Sequence, residues 1–473
     1  MSYTHHWHPS SFRDPGGRMF RQDGRLLRAI FTPAIADFQF LETSGLLGEL
    51  ISAGSLVTHT DVSLASLSLD SCPEKPERVI APTELPWISY SHEWTHGQLQ
   101  AAALHTLDVM ITALEYGMWL QDAASSNIQF VGSKPILIDT LSLVRYPEGS
   151  LWAGYGQFCR HFLAPLVLMH AFDSRMAGLL LQAPDGIPLD LASTLLPKTS
   201  WLNPGIIAHI HMHAKATRTA GSQPAAASSG GKLTKIQLLG LLDSLRGLVV
   251  ANGPKIEASR SQWGGYDAED GYTDKARASK EQIISGWLKA ISGRVTVDYG
   301  ANAGRYSRLA AEFSDVVLAV EPDTMAAEQL YARTVEHHQD TSGIQTVRMD
   351  VLAPSPGIGL HGTERPSWFS RLEADTVMAL ALIHHLCLAA GIPLQEVLQT
   401  LTKGTRHLIL EWVPSDDPQA KRLGTARSRT FTDYTQPALE QYLSELGMIR
   451  GKRDVDDSMR TLYLVELGPQ TAS

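Results

Sequence analysis

The stretch RVTVDYGANAG, residues 294–304, decides how the rest of the chain reads. Val295 to Val297 is a short apolar, β-branched run, the pattern of a buried strand. Asp298 closes that run, Gly300 and Gly304 fall in the turn after it, and RYSRLAAEF (305–313) has the composition of a helix. A strand, a glycine turn and a helix let backbone approach a bound ligand closely, with the helix N-terminus facing it. The next apolar run, VVLAVEP (316–322), predicts a second strand ending in an acid, Glu321, 17 residues after Gly304. A carboxylate at the tip of the second strand can accept both hydroxyls of a ribose.

Further on, RMD supplies Asp350 after a third apolar run, ADTVMALALIHHL (374–386) predicts a fourth strand, and HLILEWVP (407–414) a fifth. RTLYLVEL (460–467) predicts a last strand, with GMIRGKRDV (447–455) as its hairpin partner. Taken together these segments resemble the class I S-adenosylmethionine-dependent methyltransferases. The first motif of that family is an acid followed by x-G-x-x-x-G, which DYGANAG (298–304) matches. The resemblance implies an α/β, Rossmann-like seven-stranded sheet, with S-adenosyl-L-methionine held by Asp298, Gly300, Asn302, Gly304, Glu321, Asp350, Val351 and Leu380. Asp350 would contact the adenine amine. The glycine turn alone would also suit NAD, but NAD folds usually carry G-x-G-x-x-G, and position 302 is Asn.

His384 and His385 come just past the fourth apolar run, and Glu411 near the end of the fifth. Ligands of open α/β sheets bind at the carboxyl ends of strands, so these three are the candidate catalytic residues. A histidine there can take an acceptor's proton near neutral pH, with His385 preferred over His384; one of the two can equally do no more than shape the pocket. Glu411 can orient a histidine or bind an acceptor amine or hydroxyl. WVPSDDPQAKRL (412–423) and FTDY (431–434) read as acceptor-side segments. His337 and His338, in a polar helix end, read as solvated.

The composition is that of an ordinary soluble globular protein. Hydrophobic residues make up 44% and charged residues 19% of 473 positions, enough chain for two or three domains. A net charge of −9 argues against nucleic acid as principal partner, because a phosphate backbone needs clustered cations. Cys72, Cys159 and Cys387 are too few and too scattered for a disulfide framework or a zinc spacing. The opening MSYTHHWHPSS has no apolar core of a signal peptide, and no run of 18 apolar residues occurs, so no membrane span is expected. A bacterial-type cytoplasmic protein is the expectation; oligomeric state is not legible.

The front of the chain has its own pattern. RMFRQDGRLLRAI (18–30) predicts a hairpin turning at Asp23-Gly24, and a helix-like pattern covers 34–53. A loop-like stretch, 70–86, contains a strand-like RVIAP. The aromatic-rich PWISYSHEW (86–94) is followed by a long helix, about Gln98 to Trp119, broken by Gly117. Then LQDAASSNIQFVGSKPILIDTLSL (120–143) sets Asp122, Asn127 and Asp139 in order. This segment resembles the catalytic stretch of the protein-kinase-like fold, small-molecule kinases included. The resemblance implies that Asp122 orients a hydroxyl nucleophile while Asn127 and Asp139 hold magnesium on ATP phosphates. The plainer alternative is that Asp122 and Asn127 fix a loop and Asp139 caps a turn. The family's strand-borne lysine has no match: before Lys134 the chain holds only Lys75, in a Pro/Glu-rich loop. Arg28 stands where a substitute would be, and DPGG (14–17) is a weak phosphate loop; a degenerate α+β kinase-like domain is expected.

GQFCRHFLAPLVLMHAF (156–172) predicts a buried helix, on which Cys159, His161 and His170 read as packed residues and no metal ligand set is complete. KATRTAGSQPAAASSGGK (215–232) is a linker by composition. It divides the chain into an accessory domain, 1–214, and a methyltransferase domain, 233–473, opening with a helix at 233–250. The polar stretch 253–281 carries Trp263, Tyr266 and Tyr272, as acceptor-pocket residues or as packing of a lid. The whole-chain pattern also resembles a bacterial family with a kinase-like front and a methyltransferase back, some of whose members carry a nodulation-protein label. These resemblances imply metal-independent methyl transfer to a small-molecule, glycan or carrier-linked acceptor, with a bifunctional kinase-methyltransferase or a non-catalytic scaffold as alternatives.

Overall fold

The computed structural model describes residues 7–67, 74–220, 233–255, 272–338, 341, 343–424 and 433–468. Cys72, Trp263, Tyr266, Phe431 and Thr432, and positions 221–232 of the linker, lie outside the described residues. The chain divides into two compact units: Met1–Lys255 with Pro356–Pro366, and Ile256–Ser355 with Ser367–Ser473.

The first unit begins with the expected hairpin, β1 (Gly17–Gln22) and β2 (Arg25–Ile30), in which Gln22 pairs with Arg25 around Asp23-Gly24. Strands β3 (His59–Val62) and β4 (Arg78–Pro82) complete an antiparallel sheet in the order β1-β2-β4-β3. The helical stretch expected over 34–53 is two helices, α1 (Thr32–Thr43) and α2 (Leu46–Ser52). Gly45 between them sits at φ +89°, a left-handed conformation that ends the first helix. Helix α3 (His96–Glu115) starts on a capping box, Thr95 with Gln98, and buries one face along Leu99, Ala103, Leu107, Met110 and Leu114. Two ribbons follow, β5 (Met118–Leu120) with β8 (Leu143–Arg145), and β6 (Ile128–Val131) with β7 (Lys134–Leu137).

Helix α4 (Lys235–Ala251) packs on α3 and belongs to this first unit, not to the second as its position after the linker suggests. Its apolar face, Leu238, Leu242, Leu245 and Val249, is buried, and Gln100 Nε2 donates to Val249 O at 2.9 Å. A linker's composition marks where packing is thin; it does not say which side the next helix covers. Residues 356–366 likewise fold with the first unit, where Arg365 Nη2 donates to Pro184 O at 2.8 Å.

The second unit is α/β, built on a seven-stranded sheet. Its strands are β9 (Val295–Tyr299), β10 (Val316–Val320), β11 (Ile344–Val347), β12 (Ala374–Ala379), β13 (Thr405–Trp412), β14 (Gly447–Asp454) and β15 (Thr461–Leu467). They lie in the order β11-β10-β9-β12-β13-β15-β14. The first five are parallel; β15 runs antiparallel to β13 and to its hairpin partner β14. The order reverses direction between β9 and β12, which opens a crevice at their carboxyl ends. Helices α5 (Asp274–Ile291), α6 (Arg305–Ala311), α7 (Thr324–Glu336), α8 (Leu394–Thr402) and α9 (Gln436–Leu446) accompany the sheet. One buried apolar cluster joins Ile284 and Leu288 of α5 to Val317, Ala319, Met378, Ile409 and Leu462 of the strands. The fourth strand is shorter than the apolar run 374–386 suggests: it stops at Ala379, and His385–Ala389 winds into a π-helical turn. Among the described residues no helix is long and apolar enough to cross a membrane.

Candidate functional site

At the end of β9, Asp298 is buried and its Oδ2 accepts the Ser307 hydroxyl at 2.6 Å. Burial pushes the carboxyl up to about 6, against the opposing pull of Ser307 and of the Lys280 ammonium. The turn then places three residues in the left-handed region, Gly300 at φ +75°, Asn302 at +47° and Gly304 at +84°. Gly300 N and Ala301 N donate to Val320 O at 2.9 and 3.1 Å, which seats the turn over the end of β10.

Glu321 follows β10 directly. Its Oε2 accepts Asn302 N and its Oε1 accepts Asp323 N, both at 2.8 Å. Burial raises this carboxyl to about 7, even though both backbone N–H groups favour the charged form. Beyond β11, Asp350 is exposed, with Oδ1 accepting Leu352 N at 2.9 Å, while Val351 beside it is buried.

Past β12, Leu380 is buried and Ala381 sits at φ +49°, a conformation that costs a residue with a Cβ on the order of 1 kcal/mol. His384 has no exposed surface, and neither ring nitrogen has a hydrogen-bond partner among the described residues. Its ring centroid lies 4.2 Å from that of His385. Burial, then the Arg460 guanidinium, pushes His385 down to about 4; burial, His385, Arg460 and Lys280 hold His384 well below the usual imidazole range. Both rings are therefore neutral at pH 7 and weaker bases than their placement in the sequence suggests.

Glu411 is wholly buried near the end of β13, inside a charged cluster that sequence reading did not assemble. Lys280 Nζ donates to Glu411 Oε2 at 2.7 Å, the Tyr272 hydroxyl donates to Oε1, and Arg460 Nη1 lies 3.8 Å from Oε1. Arg460 Nη1 also donates to the Tyr272 hydroxyl at 2.5 Å, and its Nε donates to Asp417 Oδ2 at 3.0 Å. Burial alone would raise Glu411, but Lys280 and Arg460 outweigh it and hold the carboxyl below its ordinary range. Glu411 is thus a fixed anion, with each oxygen engaged by a hydrogen bond. One sequence signal did exist: Ala276, Lys280, Ile284 and Leu288 recur every fourth residue, so Lys280 lies on the buried stripe of α5. A lysine in an apolar stripe needs a buried partner.

In the first unit, Asp122, Asn127 and Asp139 do come together. Asp122 Oδ1 accepts Ala124 N at 2.9 Å. Burial raises the Asp122 carboxyl, and the nearby Asp139 adds to the shift. Arg28 bridges two acids, with Nη1 2.7 Å from Asp139 Oδ1 and Nη2 2.9 Å from Asp14 Oδ2. Asp139 also accepts Leu141 N at 3.2 Å, capping a short helical turn. Of the histidines on the buried run, His161 Nδ1 pairs with the Ser125 hydroxyl at 3.1 Å and His170 Nδ1 with Gly253 O at 3.0 Å.

No protein-family model matches the chain. It is 32% identical over 463 residues to the nodulation protein NoeA of Rhizobium meliloti strain 1021, covering 96% of this chain and 95% of that one. The chain belongs to the NoeA family. Solved structures similar to this NoeA-family chain include magnesium protoporphyrin IX methyltransferase of Synechocystis PCC 6803 with bound SAM, at 16% identity and TM-score 0.29, covering 41% of this chain and 80% of that one. The bifunctional kinase-methyltransferase WbdD is 17% identical at TM-score 0.30, with 46% and 45% covered. The N-methyltransferase NodS of Bradyrhizobium japonicum WM9 is 12% identical at TM-score 0.29, with 40% and 97% covered.

Proposed function

We propose that the second unit is an S-adenosyl-L-methionine-dependent methyltransferase for a small-molecule, glycan or carrier-linked acceptor. The observation that carries this reading is the Asn302–Glu321 contact at the switch point of the sheet: a glycine turn with three left-handed residues, held by the buried carboxylate that ends β10. The donor set suits the cofactor. Gly300 and Gly304 keep the turn free of side chains, and Glu321, bound to one N–H through each oxygen, keeps lone pairs for ribose hydroxyls. Asp350, exposed beyond β11, is available to an adenine amine, with Val351 and Leu380 as apolar neighbours. The bound cofactor supplies a methyl group already activated by a sulfonium.

The chain's own work is then positioning, which can supply much of the barrier reduction in an in-line displacement. His385, or His384 beside it, accepts a hydrogen bond from the acceptor and receives its proton as the new bond forms. Glu411, its oxygens engaged by Lys280, Tyr272 and Arg460, shapes the acceptor side and does not act as the base. The first unit, on this reading, is a kinase-like scaffold without phosphotransfer, because Arg28 takes the Asp139 carboxylate that magnesium would need. Titration calorimetry of the full chain tests both parts. S-adenosylhomocysteine binds with micromolar affinity and ATP with magnesium gives no heat; no binding of the first would sink the methyltransferase reading, and magnesium-dependent ATP binding would revive the bifunctional one.

A further inference from the structure

The last residue of β9, Tyr299, leads directly into Gly300 and the glycine turn, and it is buried. Its hydroxyl accepts the indole N–H of Trp368 at 2.8 Å, with the two ring centroids 6.3 Å apart and the planes inclined at 59°. Trp368 opens a short helical turn, Trp368–Arg371, just before β12, and has no exposed surface. Its backbone N–H donates to Ser355 O at 2.9 Å. Ser355 ends the stretch of the second unit that follows β11 and carries Asp350 and Val351. Between Ser355 and Ser367 the chain leaves the second unit, since residues 356–366 fold with the first. One residue beside the point of return therefore bonds to both halves of the cofactor side: to the root of the glycine turn through its indole, and to the end of the Asp350 loop through its backbone.

We propose that Trp368 is a positioning residue, which fixes the glycine turn and the Asp350 loop relative to one another so that a single ligand can reach both. This rests on the methyltransferase reading and deepens it, because that reading asks the turn and Asp350 to hold different parts of one cofactor. The turn is secured from two neighbouring strands. Glu321, at the end of β10, accepts Asn302 N within the turn. β12 lies on the other side of β9 in the sheet, and the residues leading into it reach Tyr299 at the turn's root. Packing alone does not call for this pair. Two phenylalanines would fill an apolar core with nothing left to satisfy, whereas a buried indole N–H and a buried phenol each need a partner. The indole has one polar group, and it is directed at Tyr299. A hydrogen bond is also directional, so it sets a separation that apolar contact leaves loose. The excursion of residues 356–366 supplies the need: chain connectivity does not fix the Asp350 loop against β12, and the two bonds of Trp368 do.

The variants are Tyr299→Phe, Trp368→Phe and the two together, in the full chain. Each single variant leaves one buried polar group unpaired and the double variant leaves neither, so in urea the double is more stable than the sum of the singles requires. Affinity follows a different pattern if the bond positions the site. S-adenosylhomocysteine, titrated where every variant is folded, binds each single variant about fivefold or more weakly, and the double variant no better than the singles, because the bond is absent in all three. Affinity that recovers together with stability in the double variant would make Trp368 a structural residue only and overturn the proposal, as would native affinity throughout. A second readout needs no ligand. Amide exchange at Asn302 and Gly304 in the double variant quickens by about fivefold more than at Ile409 and Leu410 of β13. No such excess in the turn overturns the inference. If the native chain binds no S-adenosylhomocysteine, the methyltransferase reading falls, and the exchange rates still decide whether Trp368 holds the turn.

Discussion

The carboxylate of Glu321 accepts the backbone N–H of Asn302 at 2.8 Å, so the acid that ends the second strand of the sheet holds the glycine turn that follows the first. Burial brings this carboxyl to about 7 from an ordinary 4.5. An acid raised in the folded state favours folding while protonated; that contribution is complete below the ordinary value and is lost as pH rises through about 7. Glu321→Gln removes the titration. Its stability relative to the native chain should improve between pH 5 and pH 8 by roughly 2 kcal/mol, read from urea unfolding at the two values. The same variant should bind S-adenosylhomocysteine at least about tenfold more weakly, because a hydrogen bond to a charged acceptor is lost.

Gly300 and Gly304 differ in what a side chain would meet. A Cβ at Gly304 would overlap Leu330 Cδ1 of α7, whereas one at Gly300 would come 3.3 Å from Leu382 Cδ1, a tight contact that a small shift relieves. Both positions also carry the cost of a positive φ. Gly304→Ala should therefore lower stability by roughly 2 kcal/mol or more, and Gly300→Ala by about 1 kcal/mol. Gly300→Val should abolish ligand binding in a chain that still folds, which calorimetry and circular dichroism together would establish.

Removing one partner of the buried pair Lys280–Glu411 leaves the other charge uncompensated. Glu411→Ala should cost about 3–5 kcal/mol in chemical denaturation, among the largest effects of any single substitution in the second unit. Glu411→Gln keeps the shape and should cost clearly less.

In the first unit, Arg28→Ala leaves Asp14 and Asp139 facing one another without their shared cation. A loss of roughly 1–3 kcal/mol is expected, and Asp139→Asn in the same chain should restore part of it by removing the repulsion. A thermal unfolding series over the single and double variants checks the pair; equal stability of Arg28→Ala and the native protein would show that the bridge contributes nothing.

The parallel strands were legible because each is a short apolar run with a turn signal after it, and because the residues that define the glycine turn lie within a few positions of one another. The hairpins at Asp23-Gly24 and before Thr461 were legible for the same reason. The fourth strand was read too long because ALALIHHL continues the apolar pattern after the sheet has ended; Ala381, at φ +49°, breaks the extended backbone where composition shows no break. The histidines follow the end of the fourth strand, as the sequence suggests, but what lowers their basicity, burial and the charge of Arg460, comes from segments far away in sequence.

By itself, then, the sequence determined the succession of strands, the glycine turn and the acid that follows the second strand, because each is a local pattern of polarity and backbone freedom. It also placed Asp122, Asn127 and Asp139 in one short segment of the first unit. Only the tertiary structure decided that Lys280 meets Glu411 across 131 positions, that α4 and residues 356–366 fold with the first unit, and that Arg28 closes on Asp139. The physical reason is common to all three: burying a charge or an apolar face is favourable only against a particular partner, and a partner remote along the chain leaves no periodicity or spacing by which to find it.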